Sequence, residues 1–321
     1  MFRIRPFERT EVENKAVAEI QSVAWSNSMN SVAMWNRTDG VRDPRSLMQR
    51  FVAVDQGNIV GLAVLMEPEL DIAQGRYGFS IAVRPDQQGK GIGSAIYKRM
   101  MTSLEGRPLQ QLTTGTSEDN DDAVRFLERY GFRQVQRDPI ALLDLAAFDA
   151  APFAGIWERM ARQGIQVLPL NRAALCFPDW QRRIWELDWE LVQDLKSFKN
   201  PERKPFEQFQ RAVLGRRQFN PASWFVALDG DQWVGICRLM DMKNEPDTLY
   251  HGLTGVVRSH RRRGIATALK ISAIEYAWQS GARFVETETE EYSPIHALNL
   301  KLGYIPQPAW LTFVKEFPVA G

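Results

Sequence analysis

Cysteine and histidine are scarce in this chain, two and three respectively among 321 residues. Cys176 and Cys237 show no C-x-x-C spacing, and His251, His260 and His296 form no H-x-x-x-H pair. The expectation is therefore no disulfide framework and no metal site. A surplus of charge is missing too. The formal net charge is +1, so no global field draws the protein onto nucleic acid or membrane. No apolar run approaches the ~20 residues of a membrane span. The opening MFRIRPFERTE has no apolar core of a secretory signal. These absences point to a cytoplasmic protein without nucleic-acid or membrane partners.

The chain is longer than the ~250–300 residues at which single cores stop growing, which favours two domains. A repeat supports that division. FVAVDQGNIVGLAVL from Phe51 matches FVALDGDQWVGICRL from Phe225, 174 positions on. Each reads as a β-hairpin with an Asp-Gly-type turn. SIAVRPDQQGKGIGSAIYKRM then matches LTGVVRSHRRRGIATALKISA, with Gly91 opposite Gly264. FLERYGF (126–132) matches LNLKLGY (298–304). Three landmarks in one order at nearly constant spacing identify a tandem duplication. Copy 1 is expected over 1–147, a linker helix over 148–164 and copy 2 over 165–321. Each copy alternates strands and helices, an α/β class with mixed sheets, and strands at 140–145 and 311–317 are expected to close their own copies.

The stretch QQGKGIGSA (87–95) crowds Gly89, Gly91 and Gly93 before a helical pattern. A strand, a glycine turn and a helix start make an anion site, because the first helical amides lack partners and the macrodipole favours negative charge. Glycine lets a phosphate reach those amides. The donors in copy 1 are the amides from Gln88 through Ser94, passing Lys90 and Ile92. In copy 2 they run from Arg261 to Thr267, and Arg258, Arg261, Arg262 and Arg263 add guanidinium forks. The same residues also read as a tight turn and a solvated basic face. Neither G-x-G-x-x-G nor G-x-x-x-x-G-K-[ST] fits.

The pattern Gln/Arg-x-x-Gly-x-Gly/Ala does fit, as Gln88–Gly93 and as Arg261–Ala266. With the hairpin before it and the Gly-aromatic ending after it, each present twice, the chain resembles the GCN5-related N-acetyltransferase (GNAT) superfamily over nearly its whole length. Its tandem arrangement is similar to that of mycothiol synthase. The resemblance implies acetyl-CoA as cosubstrate and an amine acceptor, with the protein a monomer or homodimer. It implies pyrophosphate contacts from the loop amides, including Gly264, Ile265 and Ala266, after Val83 in copy 1 and Val256 and Val257 in copy 2. It places Asn120 where pantetheine is contacted, and an oxyanion donor on a strand-four amide near 79–82 and 253–256.

The resemblance also expects a tyrosine acid five residues before the final aromatic of the Gly-aromatic ending. Leu127 and Asn299 stand there instead. A thiol of pKa ~8.5 leaves without such an acid, and Asn299 can hydrogen-bond the sulfur. For a base, VETETEEYS (285–293) alternates so that Glu286, Glu288 and Glu290 share a strand face, and their repulsion raises at least one pKa. His251 is a second candidate. Both also read as ordinary structural positions. The acidic and tryptophan-rich segment 178–195 offers a wall for a cationic amine or, equally, a packed helix. Two functions follow: an acetyl-CoA-dependent N-acetyltransferase attacking the thioester directly, or a non-catalytic acyl-CoA-binding scaffold. A longer acyl or an aminoacyl donor fits the same residues.

Overall fold

Both hairpins of the repeat form, and each is the centre of a sheet. The computed structural model describes residues 2–24, 35, 39–40, 42–68, 72, 74–194, 203–215, 219–242 and 245–318. The strands are β1 (Arg3–Pro6), β2 (Met48–Asp55), β3 (Asn58–Met66), β4 (Arg76–Val83), β5 (Gln111–Ser117), β6 (Arg133–Asp144), β7 (Ile165–Pro169), β8 (Trp224–Asp229), β9 (Gln232–Asp241), β10 (Thr248–Val256), β11 (Phe284–Glu288) and β12 (Ile305–Glu316). The helices are α1 (Glu11–Ala24), α2 (Ile92–Ser103), α3 (Asp121–Arg129), α4 (Ile156–Arg162), α5 (Leu170–Cys176), α6 (Trp180–Val192), α7 (Phe206–Phe209), α8 (Ile265–Gln279) and α9 (Pro294–Lys301).

Unit 1 comprises residues 1–137 and 310–321, and unit 2 comprises 138–309. Unit 1 runs β1-β2-β3-β4-β5-β12, and unit 2 runs β7-β8-β9-β10-β11-β6. In each, only the fourth and fifth strands are parallel; the other described pairs are antiparallel. The closing strands differ from the expectation. Trp310–Glu316 lies on β5, with Thr312 opposite Gly115. Residues 140–144 lie on β11, with Ile140 opposite Glu288. Each copy is therefore closed by the last strand of the other copy. The repeat pattern could not show this, because the two strands are interchangeable in hydrophobic period. The expected linker helix is also shorter. Turns at 145–147 and 151–153 precede α4, and Pro152 is the middle residue of the second.

Both faces of the central strands are covered, which is why they read as continuous apolar runs. Phe51, Ala53, Ala63 and Leu65 pack with Ile92, Ile96 and Met100 of α2. Val52, Val54, Leu62 and Val64 pack with Val17 and Ile20 of α1. In unit 2, α8 is apolar on nearly all sides and buries eight residues, Lys270 among them.

Lys270 is fully buried, with Nζ 3.4 Å from His251 Nδ1. Burial lowers its pKa to about 8. The unfolded lysine, at 10.5, keeps its proton over a range in which the folded one loses it. Stability carried by this group is thus lowest below pH 8 and rises between about 8 and 10.5. Lys270→Met is expected to stabilise unit 2 at pH 7 by about 1–3 kcal/mol. Thermal melts across pH check this, because the advantage should shrink towards pH 10.5. A variant less stable than wild type at pH 7 would contradict it.

Candidate functional site

Each unit carries a strand–turn–helix passage with the same backbone. In unit 1, Pro85–Gln87 form a turn, Gln88 is extended (φ −64°, ψ 161°), Gly89 is left-handed (φ 74°) and Gly91 (φ 80°, ψ 4°) caps α2. In unit 2, Arg258–His260 form the turn, followed by Arg261 (φ −66°, ψ 160°), Arg262 (φ 63°) and Gly264 (φ 89°, ψ 1°) before α8. Arg262 takes the conformation of Gly89 despite its Cβ, at a cost of roughly 1–2 kcal/mol. The Gln/Arg of the pattern braces the loop. Gln88 Nε2 donates to the Val83 carbonyl at 3.1 Å, and Arg261 Nε donates to the Val256 carbonyl at 3.0 Å.

Neither capping glycine offers a side-chain acceptor. The first helical hydrogen bonds are Ala95 N to Gly91 O and Ala268 N to Gly264 O. The amides of Ile92, Gly93 and Ser94, and of Ile265, Ala266 and Thr267, therefore have no helical acceptor. An anion fits there. Around Gly89 and Gly91 an added Cβ would meet nothing within 4 Å, whereas at Gly264 it would lie 3.3 Å from the Arg159 guanidinium.

The loop side chains are engaged. Lys90 Nζ donates to the Asp86 carbonyl and to Gln87 Oε1. Arg263 bonds Gln163 Oε1 at 2.9 Å. Asp194 bridges Arg258, at 2.8 Å from Nε, and Arg261 Nη2. Arg258 first, then Arg261, holds the Asp194 carboxyl below its usual pKa. Val257 is buried, and its N–H donates to Val234 O. Asp194→Asn, made with Gly91→Glu so that only unit 2 reports, is expected to tighten CoA binding roughly two- to fivefold by removing a negative charge. Calorimetric titration decides it; weaker binding would mean that the carboxylate only holds the arginines in place.

Next to each loop the parallel strands part. β4 and β5 pair at 76–78 with 111–113, yet β4 runs on to Val83. β10 and β11 pair at 248–251 with 284–287, yet β10 runs on to Val256. Beyond the pairing, backbone groups on that side of each strand have no ladder partner, so an extended amide-bearing chain can bond there. Unit 2 has one feature that unit 1 lacks. The β9–β10 register shifts between His251 and Thr254, leaving Gly252 and Leu253 out of the ladder. The corresponding β3–β4 ladder is regular from Gly78 to Val83. A bulge of this kind re-aims amides.

On β11, Val285 and Thr287 are buried while Glu286 and Glu288 share the other face. Glu290 lies beyond the strand end. Water reaches Glu288, but the surrounding protein and then Asp138 and Glu286 raise its pKa to about 7. Tyr250, opposite Glu286, has a pKa raised by burial and then by Glu288, Glu286 and Asp138.

The family description "Acetyltransferase (GNAT) family" matches residues 14–132 and 183–304. The chain belongs to the GNAT acetyltransferase family. Each match falls on one copy of the repeat. The chain is 32% identical over 56 residues to an N-acetyltransferase of Streptomyces griseus, covering 17% of this chain and 29% of that protein. It is 26% identical over 91 residues to N-alpha-acetyltransferase 30 of Schizosaccharomyces pombe, covering 27% of this chain and 59% of that one. It thus spans less than two thirds of either relative. Over whole chains, its fold is similar to a tandem GNAT protein from the clavulanic acid biosynthesis pathway, with a TM-score of 0.71, 19% identity and 99% of both chains covered.

The remaining positions of this GNAT chain fall as follows. Asn120 Oδ1 caps α3 by accepting from Ala123 N, and Ser293 does the same for α9 at His296 N. His251 is fully buried, its Nδ1 2.6 Å from the Tyr304 hydroxyl, and burial followed by Lys270 pushes its pKa far down. Asn299 is buried, and its Nδ2 and Oδ1 have no partner among the described residues. Leu127 is core. In segment 178–195, Ile184, Leu187 and Leu191 are buried and Asp188 pairs with Arg238; Leu195 lies outside the described residues. Asp138 and Tyr250 escaped the sequence reading. Asp138 enters only because β6 pairs with β11, and Tyr250 only because β10 and β11 run parallel in register. Among the described residues no group of three His, Cys, Asp or Glu could hold a metal, and no helix is long and apolar enough to cross a membrane.

Proposed function

We propose that the protein is an acetyl-CoA-dependent N-acetyltransferase whose chemistry takes place in unit 2. The twice-built loop carries this reading: the same left-handed turn and free helix-start amides precede the same parted strands in both units. In this reading the pyrophosphate lies on the amides of 88–94 or 261–267, and the pantetheine lies along the unpaired edge of β4 or β10. The open space around Gly89 and Gly91 supports the fit in unit 1.

In unit 2, Glu288 takes a proton from the acceptor ammonium, aided by a pKa near working pH. The amine nitrogen then bonds to the thioester carbonyl carbon as the C–S bond breaks. The electron pair leaves on sulfur, the acylated nitrogen gives its remaining extra proton to the displaced thiolate directly or through solvent, and Glu288 returns its own proton to solvent. The amides at Gly252 and Leu253 can stabilise the oxygen that gains charge. Asp138 and Glu286 give the acceptor face a negative potential, which suits a primary amine arriving as a cation.

Unit 1 has neither the bulge nor a counterpart of the acidic face, and Leu127 fills its acid position. For unit 1 we propose binding without transfer. Mixing the protein with acetyl-CoA and a panel of primary amines while following free thiol tests the whole reading. Thiol release with an amine supports it. Tight CoA binding without thiol release from any amine would favour the scaffold reading.

A further inference from the structure

The two units differ at a set of matched positions around their fourth strands. In unit 1, Phe79 of β4, Tyr97 of α2 and Phe132, just before β6, pack ring against ring, with centroids 5.5 to 6.1 Å apart. In unit 2 the same places hold His251 of β10, Lys270 of α8 and Tyr304, just before β12. Register gives the first match, since Phe79 stands opposite Leu65 and His251 opposite Leu239. The repeat sets Tyr97 against Lys270 and Phe132 against Tyr304. His251 Nδ1 lies 2.6 Å from the Tyr304 hydroxyl and 3.4 Å from Lys270 Nζ. The next pair along the ladder differs in the same sense. Ala63 faces Ile81 in unit 1, whereas Cys237 faces Thr254 in unit 2, with Sγ 3.3 Å from Oγ1.

Spacing ties these contacts to the bulge. Phe79 and Ile81 are two positions apart in a regular ladder, as residues on one strand face must be. His251 and Thr254 are three apart, which on a regular strand would send them to opposite faces. Gly252 and Leu253 together stand against Arg238 alone, and that extra residue restores the parity. Cys237 and Leu239, two apart on β9, share a face, and their partners Thr254 and His251 share it with them. The Lys270 contact shows this to be the α8 side. A straightened ladder would turn His251 or Thr254 to the other face and break its contact. Buried polar groups without partners are costly, so these side chains favour the bulged register.

We infer that this buried polar set is a positioning device for acetyl transfer: His251, held by Tyr304 and Lys270, and Thr254, held by Cys237, fix the bulge between them and so aim the Gly252 and Leu253 amides at the thioester oxygen. This role rests on the placement of transfer in unit 2. His251, Lys270 and Cys237 are fully buried, so they act through the backbone they hold and not on substrate. Unit 1 has apolar and aromatic residues in the same places and a regular strand between them. Buried polar contacts can specify one register at a cost in stability, which is the cost that Lys270→Met is expected to relieve.

Hydrogen exchange and turnover, measured together on the full chain, test this. Thr254→Val and Tyr304→Phe each remove one hydroxyl with little change of shape, and the second takes the residue of unit 1. Each is expected to raise exchange over residues 249–256 by about tenfold or more while β8 exchanges as in wild type. Each should also lower kcat by about 10–100-fold, short of the ~10²–10³-fold of losing an oxyanion donor outright. CoA affinity, read in a Gly91→Glu background, should stay the same. Thr254→Ser, which keeps the hydroxyl, should keep both wild-type values. Lys270→Met should turn over more slowly yet melt higher at pH 7, a divergence that a purely structural role would not give. Wild-type exchange in both hydroxyl variants, or an equal rise in β8, would overturn the device. Raised exchange with wild-type kcat would overturn its part in catalysis. If wild type releases no thiol with any amine, the transfer reading fails and the catalytic role with it, while exchange still decides whether these contacts hold the bulge.

Discussion

Glu288→Gln is expected to lower kcat by about 10²–10⁴-fold with little change in CoA affinity. The carboxylate's pKa is brought to about 7 while water still reaches it. Only its deprotonated form can accept a proton from the amine. The wild-type rate should therefore rise with pH up to about 7 and then level off, and the variant should lose that rise. Its neighbours give a second, signed test. Asp138 and Glu286 both raise the Glu288 pKa by like-charge repulsion, so Asp138→Asn or Glu286→Gln should move the rise to lower pH. A Glu288→Gln enzyme with full turnover and the wild-type pH profile would remove the base from the proposal.

Gly91→Glu and Gly264→Glu are each expected to abolish CoA binding in their own unit, so each variant should retain about half the wild-type stoichiometry by calorimetry. The substitution acts twice. It puts a Cβ at φ 80° or 89°, a strain of roughly 1–2 kcal/mol. It also puts a carboxylate beside amides that need an anion. Gly91→Ala separates the two effects, since it carries the strain without the charge and nothing lies within 4 Å of its Cβ. It should fold and bind CoA more weakly, where Gly91→Glu should not bind in unit 1 at all. Full stoichiometry in both glutamate variants would sink the assignment of the loops.

Much of this was legible in the residues themselves. The hairpins, the loops and the carboxylates on alternate positions of β11 are local patterns, set by turn chemistry and by side-chain periods of two and 3.6. The role of Gln88 and Arg261 as braces was not legible, because it depends on where the carbonyls of Val83 and Val256 point. The engagement of Arg258 and Arg261 by Asp194 was hidden for a related reason: more than sixty residues separate them in the chain. The bulge in β10 left no mark in the sequence beyond Gly252, whose added Cβ would lie 2.8 Å from Met240 Cε. Tyr250 and Asp138 needed strand register, which no local pattern supplies.

The exchanged closing strands bear on how the protein is made. Synthesis proceeds from the N-terminus at ~5–20 residues per second, and unit 1 is closed by Trp310–Glu316, which follows all of unit 2 in the chain. Until those residues are made, the first unit waits with the edge of β5 unpaired, a template for wrong partners. Unit 2 has its borrowed strand from the start, because residues 138–144 are translated before the rest of it. The half that is made second is thus the half that can finish first. A shortened chain that keeps every residue of the first repeat still leaves that repeat's sheet one strand short.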